Sequence, residues 1–287
     1  MRVSVGIVVE RRIMAPSTSW STWGSEVEVR VTEWAALSEA TAIVRATLSE
    51  VRAACDLGRG DAEIHTVNQA QGTPVRVSSQ LGGLIRAALW AARMTGGAVS
   101  PLSVECARVG EQTPAQPAPC FLDVRVDGDT VFAPFGAFLD ITGTAKAGAA
   151  HRVARRAADT LECGVLVRVD EVVATWGHCP IGGWQVEAGS AVPGRGAQVE
   201  VRAGSALASA RAPAAAGGAP DSGLDCVTVV ADDGLWAYAA ALAAVGQGVA
   251  ALRWLTENDL AARVAYRHGS VRITDAWRHL PPYDHAA

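Results

Sequence analysis

Over residues 27–31 apolar valines alternate with Glu28 and Arg30, the period of a strand with one buried face. The period then changes. Leu37, Thr41, Val44, Leu48, Val51 and Cys55 recur at steps of four and three, which predicts an amphipathic helix laid on a sheet. A second helix carries Leu81, Leu84, Ile85, Ala88, Leu89 and Ala92 on one face and stops at Thr95-Gly96-Gly97. Residues 120–132 read as two strands around an Asp127-Gly128 turn. Residues 138–140 read as a short apolar strand, Thr142-Gly143-Thr144 as a turn, and residues 145–161 as a long helix. Further strands are expected at 164–169, 182–187, 197–202 and 226–230, and helices at about 234–245 and 249–256. Residues 263–274 read as a hairpin turning at His268-Gly269. Strands and helices mix without strict βαβ alternation, so the class is α+β with antiparallel sheets.

Irregular stretches divide these elements. Residues 1–19 read as a loosely organised arm and 55–61 as a polar glycine loop. Residues 111–120 form a proline-rich connector, and 211–223 a low-complexity loop.

Composition narrows the function classes. With 49% hydrophobic and 19% charged residues, the chain of 287 residues is globular. A net charge of −4 and no basic stripe speak against nucleic acid. No run approaches the ~18 apolar residues of a membrane span. The first apolar run is broken by Glu10-Arg11-Arg12 and makes a poor signal peptide. The six cysteines are scattered without a C-x-x-C pair, which argues against structural zinc and fits reduced cytosolic thiols.

The joint at 138–161 is the first candidate site. A helix N-terminus leaves backbone N–H groups unpaired and suits a phosphate or another anion. The joint is neither a P-loop nor a dinucleotide fingerprint. Asp140 either caps the turn or faces a bound group; Lys146 is either a solvated first-turn residue or faces the same group. His178 beside Cys179 reads as a base and nucleophile or as an ordinary loop. Cys106 reads as a reactive thiol or as a buried structural one. Trp20, Trp23, Trp176 and Trp184 line an aromatic pocket or pack the core.

Motif order adds a family. Residues 55–68 match "CSRFRPDSELSRLN" in length and in Asp, Glu and Asn. Residues 95–101, Thr-Gly-Gly-Ala-Val-Ser-Pro, match "TGGAFDPTVGP", and residues 139–147, Leu-Asp-Ile-Thr-Gly-Thr-Ala-Lys-Ala, match "LDLGATAKA". Residues 166–170 fall on "LVNLGGD" and 180–186 on "PPGGWRV". Over about residues 20–274 the chain resembles the ApbE-type flavin transferases, particularly actinobacterial members. Those enzymes cut FAD and attach FMN to a Thr or Ser of a target protein.

The resemblance implies an ApbE-like (T-fold-related) α+β domain over residues 20–280, with mixed and antiparallel sheets and helices around a central cleft. It implies lobes at roughly 20–135 and 136–280 and a tail at 281–287. It places Trp23, Ala98, Val99, Ser100, Asp140 and Lys146 at flavin-contact positions. It also marks departures. The family's side-chain metal ligands fall on Tyr238 and Leu242, which cannot serve a hard cation beside the Gly143 carbonyl. Asp232 and Asp233 lie a turn or more earlier. The "HHIIDPRTG" segment is missing between 209 and 227, and Glu171, Val172 and Val173 replace "GGD". Magnesium is therefore not expected, whereas FAD is. The implied partners are a flavin nucleotide or other small molecule and a flavoprotein substrate. The expected function is a cytoplasmic protein that has lost metal-dependent FMN transfer. It keeps a flavin- or nucleotide-sized pocket for binding or for metal-independent small-molecule chemistry. The alternative is an active FAD:protein FMN transferase.

Overall fold

Valine-rich strands build the central sheet. A computed structural model describes residues 15–103, 119–189, 197–213 and 222–280. Strands β1 (Ser17–Thr22) and β2 (Ser25–Val31) form a hairpin, and helix α1 (Leu37–Cys55) returns over the sheet. Next come α2 (Ile64–Gln69), β3 (Val75–Arg76), α3 (Ser79–Met94), β4 (Arg125–Asp127) and β5 (Thr130–Phe132). The long helix α4 (Thr142–Leu161) leads into β6 (Val165–Val169) and β7 (Val172–Trp176). Strands β8 (Trp184–Ala188), β9 (Ala197–Val201), β10 (Ala206–Arg211) and β11 (Leu224–Ala231) follow. The chain then runs through α5 (Gly234–Gly246), α6 (Ala251–Glu257), β12 (Ala261–Tyr266), β13 (Val271–Ile273) and α7 (Asp275–Arg278).

Eight strands join in the order β1-β2-β6-β7-β10-β11-β12-β13. Strands β3, β5 and β4 form a small sheet, and β8 and β9 a separate hairpin. All named strand pairs are antiparallel. The class is the α+β one, with helices packed on the main sheet. That sheet runs across residue 135, because β2 pairs with β6.

The central strands are buried on both faces, so successive side chains enter different cores. In β6, Val165, Val167 and Val169 join the helix-side core with α1 and α4, while Leu166 enters the core on the other face. In β7, Val172 and Ala174 take the first core and Val173 the second. The β8–β9 hairpin covers the second face and buries Trp184 there. On the first face α4 and α5 pack on each other and on β7. Both helices are rich in buried alanine. Gly234 lets them approach, since a Cβ there would meet the Ala147 carbonyl at 3.1 Å.

Some local expectations change. Residues 17–19, expected in an arm over 1–19, belong to the sheet, because Ser17–Thr22 pairs with β2 as an edge strand; residues 1–14 lie outside the described residues. Residues 138–140 are not a strand and make only the bridge between Leu139 and Leu102. Asn68 takes the place of a second strand. Its buried carboxamide accepts from the Leu139 N–H (2.8 Å) and donates to the Leu139 carbonyl (3.1 Å). Thr142-Gly143-Thr144 is already helical, because the Asp140 carboxylate takes the Thr142 N–H at 3.0 Å and starts α4 there.

Candidate functional site

Where the first turn of α4 meets the β6–β7 turn, the fold leaves a cavity of about 400 Å³. Thr142, Gly143 and Lys146 line it from α4, and Asp170 and Glu171 from the turn. Ser209 and Arg211 contribute from the end of β10, and Tyr238 and Leu242 from α5. Its size lies within the range of small-molecule sites, about 300–1,000 Å³. A second depression of about 370 Å³ is lined by Glu50, Glu63, Ser78 and Gln80. There Glu63 accepts from both the N–H and the hydroxyl of Ser78, at 2.5 Å each. Those bonds organise the start of α3, so that depression is structural.

Lys146 reaches the cavity from a largely buried side chain. It is the chain's only lysine among 25 basic residues. Its Nζ lies 5.0 Å from the centre of the Trp23 ring and 3.8 Å from Asp170 Oδ2. The first is a cation–π distance, and the second is too long for a hydrogen bond. Trp23 and Gly24 both have positive φ, 53° and 66°, in the two-residue turn of the β1–β2 hairpin. That twist suits the hairpin, but a bulky residue in it stores about 1 kcal/mol or more of strain. Trp23 packs against the helix-side core.

Asp170 ties the two hairpin tips together. Its carboxylate accepts from Ser25 Oγ at 2.5 Å and from the Glu26 N–H at 3.1 Å. Its own N–H donates to the Glu26 carbonyl at 2.9 Å. Glu171, next in the turn, lies 3.8 Å from the Arg211 guanidinium.

Tyr238 and Leu242 fill the wall contributed by α5. The Tyr238 hydroxyl lies so close to Gly143 that a Cβ there would overlap it. Burial pushes the phenol's pKa up, and the charges of Asp140 and Asp170 push it further. The phenol therefore stays neutral, with an O–H that can donate.

The other anticipated residues lie elsewhere. Asp140 is exposed and does not line the cavity; it caps the entry to α4 and acts there through its charge. Ala98, Val99 and Ser100 lie past the C-terminus of α3. Val99 is buried against Leu235 and Ala239, and the Val99 N–H donates to Thr95 Oγ1 at 3.1 Å. None of the three lines the cavity. His178 does not line the cavity. It follows β7 at the end of the β6–β7 hairpin away from Asp170 and Glu171, where its Nε2 meets Glu33 and Thr32 at 2.9 Å each. Its neighbour Cys179 is exposed, and Cys163 is buried, its pKa pushed up to about 11 mainly by burial. Cys106 lies outside the described residues.

Asp232 is exposed, and Asp233 caps α5 by accepting from the Trp236 N–H at 3.0 Å. Among the described residues no three His, Cys, Asp or Glu side chains gather as metal ligands. Sequence reasoning had not singled out Asp170 or Arg211. The Val-Asp-Glu-Val string over 169–172 is a hairpin signal that could have found the first.

Comparison with known proteins supplies the family and the fold. Solved structures with the same fold include the apo flavinyl transferase ApbE of Pseudomonas stutzeri. It is 18% identical, covers 94% of this chain and 98% of its own, and has a TM-score of 0.77. The ApbE protein of Thermotoga maritima is 16% identical over 94% of this chain and 100% of its own, at 0.77. The flavin transferase ApbE of Vibrio cholerae is 15% identical over 93% and 100%, at 0.72. No curated protein matches the chain in sequence. The ApbE family model matches residues 23–210, and the chain belongs to the ApbE family.

Proposed function

We propose that this protein binds a flavin nucleotide, FAD in the first instance, in the Lys146–Asp170–Tyr238 cavity, and does so without a divalent metal or FMN transfer. The flavin part is supported by the family and by the flavin transferases that share the fold. The observation that carries the metal-free part is the Tyr238 hydroxyl packed onto Gly143.

The residues present do not fit a divalent ion. Magnesium takes oxygen ligands in near-octahedral geometry. Asp170 has both carboxylate oxygens engaged by Ser25 and Glu26. Glu171 faces Arg211, and Leu242 brings no donor atom. A phenol above its usual pKa is a poor ligand for a hard cation. What the chain offers instead is an ammonium and a guanidinium, the neutral Tyr238 donor and the first turn of α4, all suited to a polar anionic ligand.

The test has two parts. Flavin fluorescence is titrated with protein in EDTA and again in Mg²⁺. Covalent FMN is then sought on a peptide carrying a D-x-x-T-G-A-T-like motif, with an active relative as control. Quenching that is equal in both buffers, with no labelled peptide, is the expected result. Mg²⁺-dependent labelling would establish the active transferase instead. Absence of flavin binding would leave a different small molecule as the ligand.

A further inference from the structure

We infer that Arg211 is a second anion-binding residue of the cavity, working with Lys146 to hold the diphosphate of a nucleotide. The inference rests on reading the cavity as a nucleotide site, and it adds a residue that recognises the phosphates.

The geometry is built on one turn. Asp170 and Glu171 are consecutive, and each faces one cation: Lys146 from α4 and Arg211 from the end of β10. The sheet fixes this spacing. Strand β10 pairs with β7, with Ala208 opposite Val172, and the Ser209 N–H donates to the Glu171 carbonyl at 3.1 Å. Arg211 therefore leaves the sheet beside the turn that faces Lys146. Both cations line the same cavity.

Neither cation is consumed by its acid. Both separations are 3.8 Å, beyond hydrogen-bond distance. Arg211 and Glu171 are both more than half exposed, at 59% and 52%, so that pair is weak and readily exchanged for a ligand. Asp170 is held by Ser25 and Glu26 and cannot follow Lys146. An incoming anion thus finds two cations with open donors. A guanidinium offers a planar fork that fits phosphate oxygens in pairs, and an ammonium adds a compact charge. The diphosphate is the part of a nucleotide that uses both. Here the two side chains stand in for the charge of a metal ion.

Calorimetry with ADP, inorganic pyrophosphate, FAD and riboflavin, all in EDTA, tests this on the full chain and on Arg211→Gln and Arg211→Lys. The wild-type chain should bind ADP and pyrophosphate, more weakly as salt rises. Arg211→Gln should lose at least about tenfold in affinity for each phosphate ligand, the scale of a charged hydrogen bond. Arg211→Lys should fall between the two. Riboflavin, which has no phosphate, should bind both variants as it binds the wild type. Equal FAD affinity in wild type and Arg211→Gln would overturn the role of Arg211 and leave the flavin reading intact. ADP binding that needs Arg211, with no flavin binding, would overturn the flavin reading and support the clamp. No phosphate ligand bound by the wild type, or equal loss of riboflavin in Arg211→Gln, would overturn the inference.

Discussion

The hydroxyl of Tyr238 occupies the space a side chain at Gly143 would need. The turn that opens α4 and the middle of α5 are therefore locked by one contact. Gly143→Ala should destabilise the protein by about 1–3 kcal/mol, the usual cost of overpacking. Tyr238→Phe removes the worst overlap but leaves Cζ 3.0 Å from the new Cβ. The double variant should thus recover part of the loss. Thermal or urea unfolding of the four proteins closes the cycle. Additive losses would show that the two residues are not coupled.

The same contact makes a prediction about metals. Neither EDTA nor Mg²⁺ should move the unfolding temperature of the wild-type chain, because a ligand stabilises only the state that binds it. Tyr238→Asp with Leu242→Thr should place a carboxylate and a hydroxyl on the α5 wall of the cavity beside Gly143. That variant should bind Mn²⁺ by calorimetry, and the wild type should not. A Mg²⁺-dependent rise in the wild-type unfolding temperature would refute the metal-free reading.

A polar face opposite an apolar one made several elements legible in the sequence. Strand β2 alternates valine with charge, and α1 and α3 each carry one apolar stripe. Strands β7 and β10 carry no alternation of apolar and charged residues, and neither is read as a strand. Strand β10, Ala-Leu-Ala-Ser-Ala-Arg, also lacks the β-branched residues that mark strands. Lys146 was legible because local sequence sets it near the start of α4. Arg211 was not, because only the pairing of β10 with β7 brings it beside the β6–β7 turn. His178 shows the converse. Adjacency to Cys179 suggested chemistry, while the fold gives its imidazole to Glu33 and Thr32.

The solitary lysine offers a direct probe of the cavity. An amine-reactive reagent can label only Lys146 and the α-amino group of this chain. The Lys146 side chain is 17% exposed, so labelling should be slow in the folded protein and fast after unfolding. Saturating FAD should slow it further, as followed by peptide mapping. Equal labelling with and without FAD would place the ligand away from Lys146. Lys146→Arg keeps the charge but replaces a compact ammonium with a wide fork over Trp23. It should weaken FAD binding by roughly tenfold, about one charged hydrogen bond.

His151 sets how the site region responds to acid. It sits on α4 below Lys146, edge-on to Trp176 with ring centres 5.8 Å apart. Its Nε2 is 4.0 Å from Asp233, the cap of α5, and its Nδ1 is buried without a hydrogen-bond partner. Burial lowers its pKa below the ordinary value of 6.5, Asp233 and Asp232 pull it back up, and Arg155 and Arg152 lower it again. With the folded pKa below the unfolded one, the unfolded chain binds more protons between the two values. Stability from the neutral imidazole is therefore complete above about pH 6.5 and is lost as pH falls toward the folded pKa. His151→Phe keeps an aromatic edge against Trp176 and cannot titrate. Unfolding temperatures measured from pH 8 to pH 5 should fall more steeply for the wild type than for this variant. Parallel curves would mean that His151 carries no part of the acid sensitivity.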